Sequence, residues 1–226
     1  QRMEAGQTPK TSQPSPDAFL REFEAAKTAG DSVLCVLISS ALSGTLQSAL
    51  IAVGMTEDLD VALVDSLSAT VGERLLVQEA CRMRDAGGKT AQEIAEALRL
   101  LVPRVRIFAC LDTLEYLVKG GRIGKVTAMA GTMLQIKPII TFAPDGQLQS
   151  VAKVRGRHQV MRKLVDMAVD RCGEHKRYNL AVAHGGAPEE METVRQMLTE
   201  ALPNSDHLWD GEIDGTLSVY LSLIHI

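Results

Sequence analysis

Four cysteines in 226 residues, none of them in a Cys-x-x-Cys pair, give this chain neither a disulfide frame nor a thiolate zinc site. Cys35, Cys81, Cys110 and Cys172 are scattered, which suits buried reduced thiols. No apolar run approaches the ~20 residues that a membrane-spanning helix needs. The start Gln1-Arg2-Met3-Glu4 also lacks the charged-then-apolar order of a signal peptide. Together these absences set a cytoplasmic location without a membrane span as the expectation. The net charge of -4 comes from interspersed Lys, Arg, Asp and Glu, so there is no basic stripe and no nucleic-acid partner is expected. His158, His175, His184 and His207 show no metal-ligand spacing, and neither a metal nor a cofactor is expected.

Two catalytic motifs are missing as well. A nucleophile elbow needs Gly-x-Ser-x-Gly, but Ala41 stands two residues before Ser43 and Thr45 two after it. The segment His184-Gly185-Gly186 resembles an esterase oxyanion loop, yet it follows the candidate serine in the chain. A phosphate-binding loop fails because Gly124-Lys125 is followed by Val126 and Lys119 stands where the first glycine belongs.

What is present is enough apolar material, 46% of residues, to bury the core of one large domain or two modest ones. Pro16 fits a first helical position with Ser15 as cap, and a helix over 17–29 places Phe19, Leu20, Phe23 and Ala26 on one face before Gly30 stops it. Residues 33–39 read as a buried strand, a helix carrying Leu46, Ala49, Leu50 and Val53 follows, and 61–66 read as a second buried strand. Helices are expected over 69–86 and 90–101, the second with Thr90 and Glu93 as a capping box. This alternation argues for a parallel sheet covered by helices.

Pro103 marks a break. Beyond it the pattern predicts a strand over 104–111, a short helix over 113–119, a glycine-rich turn over 120–125 and a helical segment to about Leu134. Strands over 137–142 and 147–154 are joined by the turn Pro144-Asp145-Gly146, and the short connection predicts antiparallel pairing. A helix over 158–172, a strand over 178–184, a helix over 188–201 and the start of a strand at 217–220 complete the reading. A domain boundary is expected near 101–103.

The stretch of greatest functional interest is Ser39 to Ala49. It follows the first strand and opens a helix, so Ser43, Gly44 and Thr45 bring hydroxyls beside the free N–H groups of a first helical turn. Such a turn, at the carboxyl end of a strand in an α/β sheet, is suited to an anion. A plain Ser or Thr helix cap without a ligand explains the same residues. An anion site of this kind would also serve a carboxylate or phosphate ligand of any class.

Four blocks in order carry a resemblance: Thr11-Ser12-Gln13-Pro14-Ser15, Ser39 to Ala49, Leu114-Glu115-Tyr116-Leu117-Val118-Lys119-Gly120-Gly121-Arg122-Ile123, and Lys137-Pro138-Ile139-Ile140 with Lys153-Val154-Arg155. Over about Thr8 to Tyr220 the chain resembles the DegV family. The resemblance implies a two-domain α/β fold, with a helix-covered parallel sheet in a first domain (8–102) and a mixed sheet in a second (103–220). It implies that the chain binds a long-chain fatty acid between the domains and is not itself an enzyme. It implies a possible partner as well, a fatty acid kinase to which the acyl chain is presented. By the motif positions, Thr11, Ser43 and Gly44 match carboxylate-binding positions, Arg122 matches an arginine completing that polar head, and Arg155 matches a position for docking the kinase. Thr11 closing its own loop, Arg122 as a solvated turn residue and Arg155 facing water remain the plainer readings.

Two departures from the family pattern are expected to matter. The family's first strand, with its Asp-Ser pair, precedes the Thr11 block and is missing here, which predicts an unpaired strand edge or gap. At the other end Leu221 to Ile226 reads as the translation of a transposon end used in sequencing libraries, so His225 is excluded from any site and Tyr220 stands nearest to a family histidine.

Overall fold

The computed structural model describes residues 10–126, 136–173 and 177–218. The chain divides into two compact units, each with its own core. The first comprises Gln13–Arg106 and Phe142–Gln147; the second takes the remainder, including the described residues 10–12. The division falls after Arg106, and the tip of a later hairpin belongs to the first unit.

The first unit opens with α1 (Pro16–Ala29), and its ends follow local chemistry. The Ser15 hydroxyl accepts the N–H of Ala18, and Gly30 ends the helix at φ 77°, a left-handed conformation that glycine adopts without steric cost. Phe23 is its buried anchor, a burial that contributes ~2 kcal/mol or more. Strands β1 (Val33–Leu37) and β2 (Val61–Asp65) pair in parallel, with Val33 opposite Val61 and Leu37 opposite Asp65. Between them runs α2 (Thr45–Met55), and after them α3 (Thr70–Ala86) and α4 (Ala91–Leu101). Period-2 alternation sends Ala62 and Val64, with Leu34 and Val36, into a cluster with Leu76, Ala80, Ile94, Ala95 and Leu98 of α3 and α4. The capping box at α4 is complete: Thr90 accepts from the Glu93 N–H, and Glu93 accepts from the Thr90 N–H.

The second unit is mixed in direction. Strand β3 (Ala109–Cys110) pairs antiparallel with β4 (Ile136–Phe142), and β5 (Leu148–Arg155) lies beside β4. Strand β6 (Asn179–His184) pairs in parallel with β7 (His207–Glu212). Helices α5 (Glu115–Lys119), α6 (Arg157–Cys172), α7 (Pro188–Ala201) and α8 (Gly215–Ser218) complete it. Its core joins Phe108, Cys110 and Ile139 to Val160, Leu164, Val182, Val194 and Leu198.

Two sequence expectations are corrected here, and one strand escaped the sequence reading. The strand expected over 104–111 shrinks to Ala109–Cys110, and Arg104 belongs to the 3-10 turn Val102–Arg104. Of the strand expected at 217–220, the described residues Leu217 and Ser218 belong instead to the short helix α8, since Asp214 Oδ1 accepts the N–H groups of Thr216 and Leu217 at 2.7 and 3.0 Å and starts a turn. Strand β7 was not legible: His207-Leu208-Trp209-Asp210-Gly211-Glu212 is too polar to read as a strand and owes its form to parallel pairing with β6. The helical segment expected up to Leu134 and the residue Tyr220 lie outside the described residues.

Candidate functional site

The carboxyl ends of β1 and β2 meet three loops of the first unit, and buried serines tie them together. Ser39 donates its N–H to Ser68 O at 2.8 Å and its hydroxyl to Gly146 O at 2.8 Å, joining the segment after β1 to the segment after β2 and to the Pro144-Asp145-Gly146 turn. Gly146 has φ 77°, and a Cβ there would fall 2.3 Å from Ser39 Oγ, so both its conformation and its contact demand glycine. Asp65, the last residue of β2, uses one carboxylate oxygen to accept the N–H groups of Ser40 (3.2 Å) and Leu67 (3.0 Å). Ser66 and Ser68 are buried beside it, and the Ser66 hydroxyl donates to Ser68 O at 3.1 Å. Ser39, Ser43, Asp65 and Ser66 thus gather at this sheet edge.

Helix α2 begins two residues beyond Ser43, with Gly44 as its N-cap and no side chain hydrogen-bonded to the first-turn N–H groups. The Ser43 hydroxyl turns instead to the Thr45 hydroxyl, Oγ to Oγ1 2.8 Å. Capping therefore does not account for these two hydroxyls. The helix has no acidic residue in its first turn and no basic one in its last, and its sequence carries no charge at all. Its partial positive end thus lacks an internal carboxylate, which favours an anion there. Helix α3 starts at the same sheet edge, and burial raises the carboxyl pKa of its first-turn Glu73 from 4.5 to about 7.

Thr11, Arg122 and Arg155 belong to the second unit. Thr11 is half-buried. Arg122 follows Gly121 in the turn after α5, where its N–H donates to Leu117 O at 2.9 Å and its guanidinium to Gly120 O. Leu117, 1% exposed, anchors that short helix. Arg155 is exposed at the end of β5. Ser43 and Gly44 are adjacent in one unit, and the structure is described for the other three within theirs.

Sequence reading missed a charged network in the second unit. The Arg157 guanidinium grips Glu190 through two nitrogens and donates through Nη1 to Asp112 Oδ1 at 3.1 Å, while Lys137 Nζ stands 2.9 Å from the same oxygen. These four side chains, with Cys110, Val160, Met161 and Leu164, line a small cavity. Burial, assisted by Asp112, pushes the Cys110 thiol up to about 12. No motif marks this group, since its members come from a loop, a strand and two helix starts. His184, weighed for a metal or oxyanion role, is buried, and its Nδ1 accepts the N–H groups of Gly186 and Ala187, both at 3.2 Å. It secures the turn into α7. Among the described residues no group of His, Cys, Asp and Glu could hold a metal ion, and no helix is long and apolar enough to cross a membrane.

Comparison with known proteins gives a family model, described as "Uncharacterised protein, DegV family", that matches residues 1–222. The match takes in Leu221 and Ser222, which the sequence reading had assigned to an unrelated tail. The DegV domain-containing protein YteA of Lactococcus lactis is 34% identical over 227 residues, covering 95% of this chain and 78% of the relative. A solved DegV family protein from Thermus thermophilus, described for its fatty acid binding, is 27% identical with a TM-score of 0.85, covering 96% of this chain and 77% of its own. Another from Ruminococcus gnavus, refined with vaccenic acid, is 25% identical with a TM-score of 0.85, covering 96% of this chain and 78% of its own.

Proposed function

Because this chain belongs to the DegV family, we propose that it binds a long-chain fatty acid and holds it without chemistry of its own. The observation that carries this reading is the Thermus thermophilus relative, which shares the fold and binds fatty acid. Burial of methylenes supplies affinity: at ~0.8 kcal/mol each, ~15 of them give a gross ~12 kcal/mol before the costs of association and ordering are deducted. The carboxylate is assigned to Ser43 and Gly44, because α2 offers uncapped first-turn N–H groups beside a hydroxyl pair that serves no cap. A charge-assisted hydrogen bond there contributes ~1.5 to 3 kcal/mol and sets the orientation of the head. The motif resemblance extends the same role to Thr11 and Arg122.

On this reading the exposed Arg155 contacts a separate fatty acid kinase, which transfers a phosphoryl group to the presented carboxylate. Arg155→Ala should leave bound lipid unchanged and reduce its phosphorylation by a cognate kinase; loss of the lipid itself would place Arg155 elsewhere. The primary test is organic extraction and mass spectrometry of the purified protein. A long-chain carboxylic acid is expected, and another anion or no ligand would overturn the assignment.

A further inference from the structure

We propose that the tip of the β4–β5 hairpin is an occupancy-sensitive strap: it docks on Ser39, and this contact sets the segment 39–43 that delivers Ser43. The ligand in this inference rests on the fatty-acid reading, and the strap rests on geometry within the first unit. Of the hairpin, residues Phe142–Gln147 belong to that unit, while the strand residues up to Thr141 and from Leu148 belong to the second. The tip carries its own turn. Ala143 O accepts the Gly146 N–H at 2.9 Å, the Ala143 N–H donates to Gln147 O at 2.8 Å, and an Asp145 carboxylate oxygen accepts the Gln147 N–H at 3.2 Å. These bonds close within the tip, so it can dock or leave with its shape intact.

Ser39 is fully buried. Its hydroxyl donates to Gly146 O at 2.8 Å and accepts the Ala41 N–H at 3.3 Å, and its carbonyl accepts the N–H groups of Leu42 at 3.0 Å and Ser43 at 3.2 Å. The turn up to Ser43 thus hangs on one residue whose hydroxyl is oriented by the hairpin tip. Gly146 also lies over the neighbouring loop, where a Cβ on it would fall 3.1 Å from Leu67 Cδ2. The Ser39 hydroxyl and the Gly146 carbonyl meet in a buried place, so parting them leaves two polar groups unpaired unless water follows. Docked and undocked tips are therefore separate states. A carboxylate held at Ser43 fixes the turn and favours the docked tip, and by reciprocity the docked tip favours the carboxylate.

Hydrogen exchange of the delipidated full chain, read by mass spectrometry with and without palmitic acid, tests the strap on peptides covering 40–45 and 143–147, with α4 as control. Without ligand, Ser39→Ala should speed exchange about tenfold in both segments and leave α4 unchanged, since the bond that joins them is gone. In wild type, palmitate should slow both segments about tenfold, whereas in Ser39→Ala the slowing should be confined to 40–45. Gly146→Ala keeps the Ser39 hydroxyl and breaks the dock from the other side, because φ 77° suits glycine and the added Cβ would fall 2.3 Å from Ser39 Oγ. It should uncouple the segments in the same way, and it decides the matter if melting curves show that Ser39→Ala does not fold. Unslowed exchange at 143–147 in wild type that binds palmitate, or slowing of both segments in either folded variant, would overturn the strap while leaving fatty-acid binding intact. Wild type that binds no palmitate in a parallel titration would overturn the fatty-acid reading and the strap's response with it.

Discussion

The Oδ1 atom of Asp65 accepts the backbone N–H of Ser40 at 3.2 Å, tying the end of β2 to the loop that leaves β1. The same oxygen holds Leu67 N–H at 3.0 Å, and Leu67 has φ 47°, a left-handed conformation that costs a branched residue energy and needs such support. One carboxylate therefore shapes both loops at the sheet edge where the ligand head is proposed to sit.

Asp65→Ala should lower stability by ~2 to 3 kcal/mol, since two backbone donors lose a charged acceptor. Asp65→Asn keeps an acceptor oxygen without the charge and should cost about half as much. Urea midpoints at constant m-value measure both. A midpoint unchanged in Asp65→Ala would mean that water replaces the carboxylate without loss.

Glu73 predicts a pH dependence. Its folded pKa is about 7 against 4.5 for the unexposed-to-burial reference, and desolvation is the cause. Below the lower value both states are protonated. As pH rises through the window, the unfolded chain releases its proton first, so stability falls until about pH 7 and stays lower above it. The full shift corresponds to ~3 kcal/mol, and screening by the water that still reaches this half-buried group reduces it to ~1 to 2 kcal/mol. Glu73→Gln should therefore be more stable than wild type at about pH 8 and no more stable at about pH 4. Parallel stability curves across that range would contradict the burial argument.

Arg157 holds the starts of α6 and α7 to the loop that carries Asp112. Its side chain is 46% exposed, so solvent discounts the pairing, and Arg157→Met should cost ~1 to 2 kcal/mol, less at high salt. Arg157→Lys should recover only part of that, because a lysine cannot grip Glu190 with two nitrogens. Thermal melts at low and high salt read both effects, and full rescue by lysine would show that charge alone matters.

Cys110 is 7% exposed, and its thiol is pushed up to about 12. The reactive thiolate is therefore nearly absent at about pH 8, and native protein should leave Cys110 unalkylated by iodoacetamide while urea-unfolded protein labels it. Mass spectrometry of the tryptic peptides makes the comparison. Labelling of Cys110 in native protein at the unfolded rate would refute the burial.

Elements whose ends rest on local chemistry were legible in the sequence. Ser15, Pro16 and Gly30 bound α1, Thr90 and Glu93 open α4, and Pro144-Asp145-Gly146 turns β4 into β5, because caps and turns need only residues a few positions apart. The Ser39 to Ala49 block was readable as a turn from strand into helix for the same reason. It was not readable that Thr45 opens the helix without a side-chain cap and leaves the Ser43 hydroxyl to pair with it. Tertiary structure alone decided the rest. Strand β7 exists because β6 lends it hydrogen bonds, and Arg157 meets Glu190 and Asp112 across gaps of 33 and 45 residues. The approach of the Gln13 carboxamide to Gly44, 31 positions later in the chain, is likewise set by how loops converge at a sheet edge, which no local pattern encodes.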